Sequence, residues 1–137
     1  MKPRLGTCGP TLIAFLLGKL VEDIIDGWSI PYRGYCSFSE LKRELNKYGI
    51  ETERVKSKIK REYVLPEGVN YAIARIQWKK LDWKIPEKNT HFVYLERTQD
   101  SIKLFDNEIG WFEPESKKAK EYLKHGKFTS IIALRGI

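Results

Sequence analysis

Residues 6–17 read Gly-Thr-Cys-Gly-Pro-Thr-Leu-Ile-Ala-Phe-Leu-Leu. Proline is favoured at the first position of a helix because its missing N–H is not needed there. We therefore predict a buried helix that begins near Pro10 and holds Cys8 at or just before its N-terminus. The free N–H groups and the dipole of a helix N-terminus stabilise negative charge, which favours the thiolate form of a cysteine.

Two interpretations of this segment stay open. Gly6 and Gly9 let the backbone turn sharply beside Cys8, which would keep the sulfur accessible as a nucleophile. Alternatively, Cys8 is a buried side chain that caps a core helix, since free cysteines are often found in protein interiors.

The composition is that of one folded domain spanning residues 1–137, long enough to bury a core without disulfide or metal support. The net charge of +7 indicates either a solvated, lysine-rich surface or an anionic partner such as nucleic acid. No RNA- or DNA-binding motif accompanies the charge. Abundant Lys, Glu and Ile with few Gln hint at a heat-adapted source.

Neither a membrane protein nor a secreted protein is indicated. The apolar run after Pro10 is too short to span a bilayer, and Lys19 interrupts it. With two cysteines, Cys8 and Cys36, and no secretory signal, we expect a cytoplasmic protein with free thiols.

The hydrophobic pattern predicts two helices followed by an antiparallel sheet with one late helix, which is the α+β class. The clearest start signal is Ser37 with Glu40, a capping box. Helices are predicted at 10–25, 37–48 and 116–125. Strands are predicted at 50–59, 69–78, 91–96 and 101–105, around 111–112, and at 128–134.

A thiolate nucleophile needs a base, and the base needs a group to orient it. His91 begins a strong strand after a long loop, whereas His125 ends a charged helix, where a cation simply favours the dipole. In a hairpin centred on Gln99, His91 and Asp106 fall near the same open end, within cross-strand reach. A surface His–Asp pair across a hairpin mouth is the competing interpretation.

Three features together resemble a known family: Cys-Gly-Pro opening an apolar helix at residue 8, His-Phe-Val-Tyr-Leu starting a strand at residue 91, and an aspartate about fifteen residues later. They are similar to the papain-like peptidases that process the double-glycine leaders of bacteriocins. The resemblance implies a papain-like fold in which the nucleophile-bearing helix packs on an antiparallel β-sheet. It implies Cys8 as nucleophile, His91 as general base and acid, and Asp106 as the residue that orients the imidazole.

The sequence departs from that family at several positions. The family has an oxyanion-hole glutamine six residues before the cysteine, where this chain has Lys2; Gln77 and Asn89 are other possible donors. Asn107 replaces a common proline. The loop 79–90 is longer than usual and, with Trp78 and Trp83, could line a substrate groove or simply pack on the sheet.

Three functions follow from these observations. The first is a cysteine peptidase without cofactor that acts on a peptide or protein substrate. The second is a related peptide-binding module with little turnover, favoured by Lys2. The third is a basic nucleic-acid-binding protein. A zinc site formed by Cys8, Cys36, His91 and His125 is disfavoured because no short paired ligand spacing is present.

Overall fold

The computed structural model describes residues 8–55, 65–78, 90–99, 101–106 and 110–137. Within these ranges, three helices come first, five strands follow, and a fourth helix precedes the last strand, which is the segregated order expected for an α+β protein. The helices are α1 (Cys8–Leu17), α2 (Val21–Asp26), α3 (Phe38–Lys47) and α4 (Lys117–His125). The strands are β1 (Glu51–Val55), β2 (Tyr71–Trp78), β3 (Thr90–Arg97), β4 (Ile102–Asp106), β5 (Gly110–Phe112) and β6 (Gly126–Arg135).

All the described strands join one antiparallel sheet in the order β1-β6-β2-β3-β4-β5. The predicted combination of helices with an antiparallel sheet is therefore confirmed. β2 and β6 slip register between Arg75 and Ile76, so Ser130 and Phe128 pair with consecutive residues of β2. A bulge of this kind bends the sheet locally, and Ile76 pairs on its other side with His91.

Alternating side chains divide the core between the two faces of the sheet. On one face, Phe92 and Tyr94 of β3 pack with the apolar residues of α1 and α3. On the other, Val93 and Leu95 pack with residues that include Ala119 of α4. The helix that carries Cys8 thus lies on a sheet face whose side chains are almost completely buried.

The predicted helix 10–25 is wrong in one respect, because the structure divides it into α1 and α2. Gly18 adopts a φ of 65°, the left-handed conformation with which glycine commonly ends a helix. The Lys19 N–H then bonds back to the Ala14 carbonyl at 3.0 Å. The apolar spacing continues across this break, which is why periodicity alone did not reveal it.

The predicted start of α3 is confirmed. The Ser37 side chain accepts a hydrogen bond from the Glu40 N–H at 3.1 Å, and the Glu40 carboxylate accepts one from the Ser37 N–H. A cap of this type is worth about 1 kcal/mol.

The loop before α3 is held by Glu44, a fully buried carboxylate. It accepts hydrogen bonds from the Ser29 hydroxyl at 2.6 Å and from Lys47 at 2.7 Å, and it pairs with Arg43 at 3.0 Å. Burial alone would raise the pKa of Glu44, but these donors outweigh it and lower the pKa below its ordinary value.

Candidate functional site

Cys8 is the first residue of α1, as the sequence predicted for a residue at or just before a helix start. The N–H groups of the first helical turn have no intrahelical partner and point toward the incoming chain. Cys8 is half-buried and is not in a disulfide. The thiol therefore lies where a helix terminus favours negative charge.

Gly9 is the point at which α1, α3 and β3 meet. A Cβ placed on Gly9 would lie 2.7 Å from the Cys36 sulfur, 3.6 Å from Leu41 and 3.8 Å from the ring of Phe92. Only a residue without a side chain lets these elements approach so closely. Because Phe92 follows His91 and Gly9 follows Cys8, this contact sets the spacing between the helix start and the strand start.

Register brings His91 and Asp106 together. In the register of β3 and β4, Tyr94 pairs with Phe105 and Arg97 pairs with Ile102. Because side chains alternate between the two faces of a sheet, His91 and Asp106 lie on the same face. They are diagonal neighbours, offset by two residues from a directly opposite pair. His91 Nε2 and Asp106 Oδ2 form a hydrogen bond. The Asp106 carboxylate is completely buried, and the His91 side chain is 13% exposed.

The Cys8 side chain also lies close enough to the His91 imidazole to affect its protonation. Burial lowers the pKa of His91, but the hydrogen bonds and charges of Asp106 and Cys8 outweigh burial and raise that pKa to about 10. The imidazolium form is therefore favoured at neutral pH.

A second contact holds α1 against the strand that bears Asp106. Phe15, two turns after Cys8, stacks on Phe105 with ring centroids 3.9 Å apart and planes inclined by 8°. An aromatic pair of this kind contributes about 0.5–1.5 kcal/mol beyond the area it buries. The helix is thus anchored beside His91 through Gly9 and beside Asp106 through Phe15.

Tyr32 lies near the site and was not singled out from the sequence. Its ring packs edge-on against Trp28 at 5.2 Å. Burial, followed by the electrostatic influence of Cys36 and Cys8, raises the pKa of its hydroxyl. Only the turn residues Pro31 and Gly34 marked its loop in the sequence, and they indicate a turn without showing where it packs.

Of the other predicted site residues, only Gln77 and Trp78 lie among those that the structure describes. Lys2, Trp83 and Asn89 lie outside the described residues, and Trp78 ends β2 opposite Gly126. Gln77 lies beside the start of β3, opposite Thr90, and its amide oxygen accepts a hydrogen bond from Arg75 at 3.4 Å. The proposed roles of Lys2, Trp78 and Trp83 in substrate binding stay predictions.

Neither a metal site nor a membrane span is present among the described residues. No group of three or more His, Cys, Asp and Glu side chains in that part of the chain could hold a metal ion. None of its helices has both the length and the apolar character needed to cross a bilayer.

No protein-family model matches the sequence, and no curated protein matches it. The structure is similar to the crystal structure of a double glycine motif protease from an AMS/PCAT transporter, determined in complex with the leader peptide. The TM-score is 0.56 at 19% sequence identity. The fold is peptidase-like. The similarity covers 98% of this chain and 86% of the other chain, so it includes α1 and the sheet.

The two cysteines are expected to differ strongly in reactivity. At neutral pH, iodoacetamide should label Cys8 at least about tenfold faster than Cys36, because the thiolate is the reactive form. Cys36 is 3% exposed, and burial raises the pKa of its thiol. Peptide mapping of samples quenched over time gives both rates. Equal labelling of the two thiols in the folded protein would contradict this prediction.

Replacing Gly9 by alanine should lower the free energy of unfolding by about 1–3 kcal/mol, as overpacking does in other cores. The added methyl would lie 2.7 Å from the buried Cys36 sulfur. Urea denaturation measures the loss. The double variant Gly9→Ala/Cys36→Ala is the matched control, since it removes the sulfur that the methyl meets and should recover part of the stability. Equal losses in the two variants would show that Cys36 is not the obstacle.

Proposed function

We propose that this protein is a cysteine peptidase in which Cys8 is the nucleophile, His91 the general acid and base, and Asp106 the orienting residue. The observation that supports this most strongly is that one imidazole is hydrogen-bonded to Asp106 and lies close to Cys8, whose side chain helps to raise the pKa of that imidazole. A nucleophile, a base and a group that orients the base form the constellation required for covalent acyl transfer.

In the first half of the reaction, the Cys8 thiolate attacks the carbonyl carbon of the scissile peptide bond. The developing oxyanion can be stabilised by free N–H groups at the start of α1, including that of Cys8 itself. His91 donates its proton to the leaving amine, the C–N bond breaks, and a thioester between Cys8 and the acyl fragment remains.

In the second half, water attacks the thioester carbonyl. His91, now neutral, accepts a proton from the water, and the C–S bond breaks to release the carboxylate product. Asp106 keeps one ring nitrogen of His91 occupied throughout, so the other nitrogen faces the sulfur. Because Asp106 is buried, its partner His91 supplies the compensating charge that a buried carboxylate requires.

The substrate that we propose is a peptide with a double-glycine cleavage site. The support is the likeness in fold to a double glycine motif protease that was solved with its leader peptide. Glycine at the scissile bond has no side chain that could hinder attack by the Cys8 sulfur. A substrate leader of this type would enter as an extended segment and leave its acyl part on the cysteine.

The test is cleavage of a set of synthetic leader peptides that end in Gly-Gly followed by a short cargo segment, with products identified by mass spectrometry. The unmodified protein should cut after the second glycine. Cys8→Ala should not cut, and Cys36→Ala is the matched control that should retain cleavage. Replacing the second glycine of the peptide by valine should abolish turnover.

A peptide-binding module with little turnover is the alternative, and the substitution of Lys2 for the glutamine of the resembling family favours it. Loss of one oxyanion-hole donor costs about 10²–10³-fold in rate. Peptide binding measured by fluorescence anisotropy, without cleavage or thioester formation over a day, would support this alternative and overturn the peptidase proposal.

A further inference from the structure

The two cysteines of this chain lie close together although 28 positions separate them in the sequence. Cys36 occupies the position just before the Ser37 cap of α3. Its sulfur is 2.7 Å from the place where a Cβ on Gly9 would be. The Cys36 sulfur therefore lies against the backbone of Gly9. Gly9 directly follows Cys8, and consecutive Cα atoms are about 3.8 Å apart, so this sulfur is also near Cys8.

The two thiols also influence each other electrostatically. After burial, the charge of Cys8 is the largest cause that raises the pKa of Cys36. Cys36 is therefore held as a protonated thiol close to Cys8, the first residue of α1. One sulfur of the pair is the reactive nucleophile, and the other keeps its proton.

We propose that Cys8 and Cys36 form a reversible disulfide when the protein meets a peroxide, which makes the pair a redox modification site. The Cys8 thiolate attacks the O–O bond of the peroxide, an S–O bond forms, and the alkoxide or hydroxide that leaves takes a proton from the His91 imidazolium. The Cys36 sulfur then attacks the Cys8 sulfur, the S–O bond breaks, and the hydroxyl leaves as water with the Cys36 proton. The two thiols are oxidised together, and the peroxide is reduced to two molecules of water if it is hydrogen peroxide or to an alcohol and water if it is an organic hydroperoxide.

The arrangement protects Cys8 from irreversible damage. A sulfenic acid that meets no thiol is oxidised further to a sulfinic acid, which dithiothreitol does not reverse. When Cys36 reacts with the sulfenic acid, Cys8 is held in a disulfide, which a thiol reductant converts back to the free thiol. Because burial keeps Cys36 protonated, the second step is slower than it would be for an exposed thiolate, and the sulfenic acid should accumulate briefly.

The test exposes the reduced protein to a slight excess of hydrogen peroxide and follows its intact mass. We expect the loss of two hydrogen atoms in mass, a Cys8–Cys36 cross-link in a non-reducing peptide map, and at least about a tenfold fall in iodoacetamide labelling of Cys8. Dithiothreitol should restore the labelling. Dimedone added at early times should trap the sulfenic acid on Cys8.

The Cys36→Ala variant is the matched control. It should gain oxygen atoms on Cys8 instead of forming the cross-link, and dithiothreitol should fail to restore labelling of the molecules that carry two or three added oxygen atoms. An unmodified protein, a disulfide between two chains, or oxidation of Cys8 in the unsubstituted protein with Cys36 left as a free thiol would overturn the proposal. These readouts do not require peptide cleavage, so their failure is distinct from failure of the proposed peptidase function.

Discussion

Replacing His91 by alanine is expected to lower kcat/KM for peptide cleavage by about 10²–10⁴-fold, the range that general acid–base catalysis supplies. The same change should slow alkylation of Cys8, because the sulfur loses a neighbouring imidazolium, and a nearby positive charge favours a thiolate. Cleavage of a double-glycine peptide and iodoacetamide labelling at neutral pH provide the two measurements. Their joint decrease would assign both effects to one contact.

The matched control for that experiment is His125→Ala. His125 is the exposed last residue of α4, so its removal should change neither rate. Circular dichroism of both variants separates a chemical effect from loss of the fold. A His91→Ala protein that is folded and labels at Cys8 as fast as the unsubstituted protein would show that the imidazole does not activate the sulfur.

Replacing Asp106 by asparagine should move the alkaline limb of kcat/KM to lower pH. In the unsubstituted protein, the Asp106 carboxylate helps to raise the pKa of His91 to about 10, so the proton needed by the leaving amine is retained well above neutral pH. Without that negative charge the imidazolium is less stable and loses its proton earlier. An opposite charge at this distance shifts a pKa by about 1–3 units, and the limb should move by at least about one unit.

A pH profile of peptide cleavage measures the shift, with Asp26→Asn as the control because Asp26 is an exposed carboxylate at the end of α2. The alkaline limb of the kcat/KM profile of the Asp26→Asn control should not shift. An unshifted limb in Asp106→Asn would mean that His91 is not the titrating acid.

Stability provides an independent check on the same pair. A histidine whose pKa is raised on folding stabilises the fold fully below its unfolded pKa of about 6.5. That stabilisation is lost as the pH rises through about 10, since the folded state then no longer binds the extra proton. The free energy of unfolding should therefore fall across this window, and the fall should be smaller in Asp106→Asn.

The sequence was most informative where the determinants are local. Pro10 after Cys8 indicated the start of α1, and the Ser37–Glu40 pattern predicted the start of α3. The hairpin around Gln99 also predicted that His91 and Asp106 would lie at one end of two paired strands, because register in a tight hairpin follows from counting residues.

It was least informative where distant segments meet. The closeness of Cys36 to Cys8 depends on how α3 packs against α1 through Gly9, and no spacing along the chain encodes that approach. The break at Gly18 was hidden because the leucine and isoleucine pattern continues beyond it. The predicted roles of Lys2, Trp78 and Trp83 in substrate binding depend on which side chains face a substrate, and the periodicity of helices and strands does not describe this.

The position of β6 has a consequence for the timing of folding during synthesis. β6 lies between β1 and β2 in the sheet, yet it follows every other described strand along the chain. A ribosome therefore makes the thiol, the imidazole and the carboxylate before the strand that completes the sheet behind them. At about 5–20 residues per second, a nascent chain would pass seconds in which these three side chains exist without the complete sheet, so their arrangement would become stable only after β6 has left the exit tunnel.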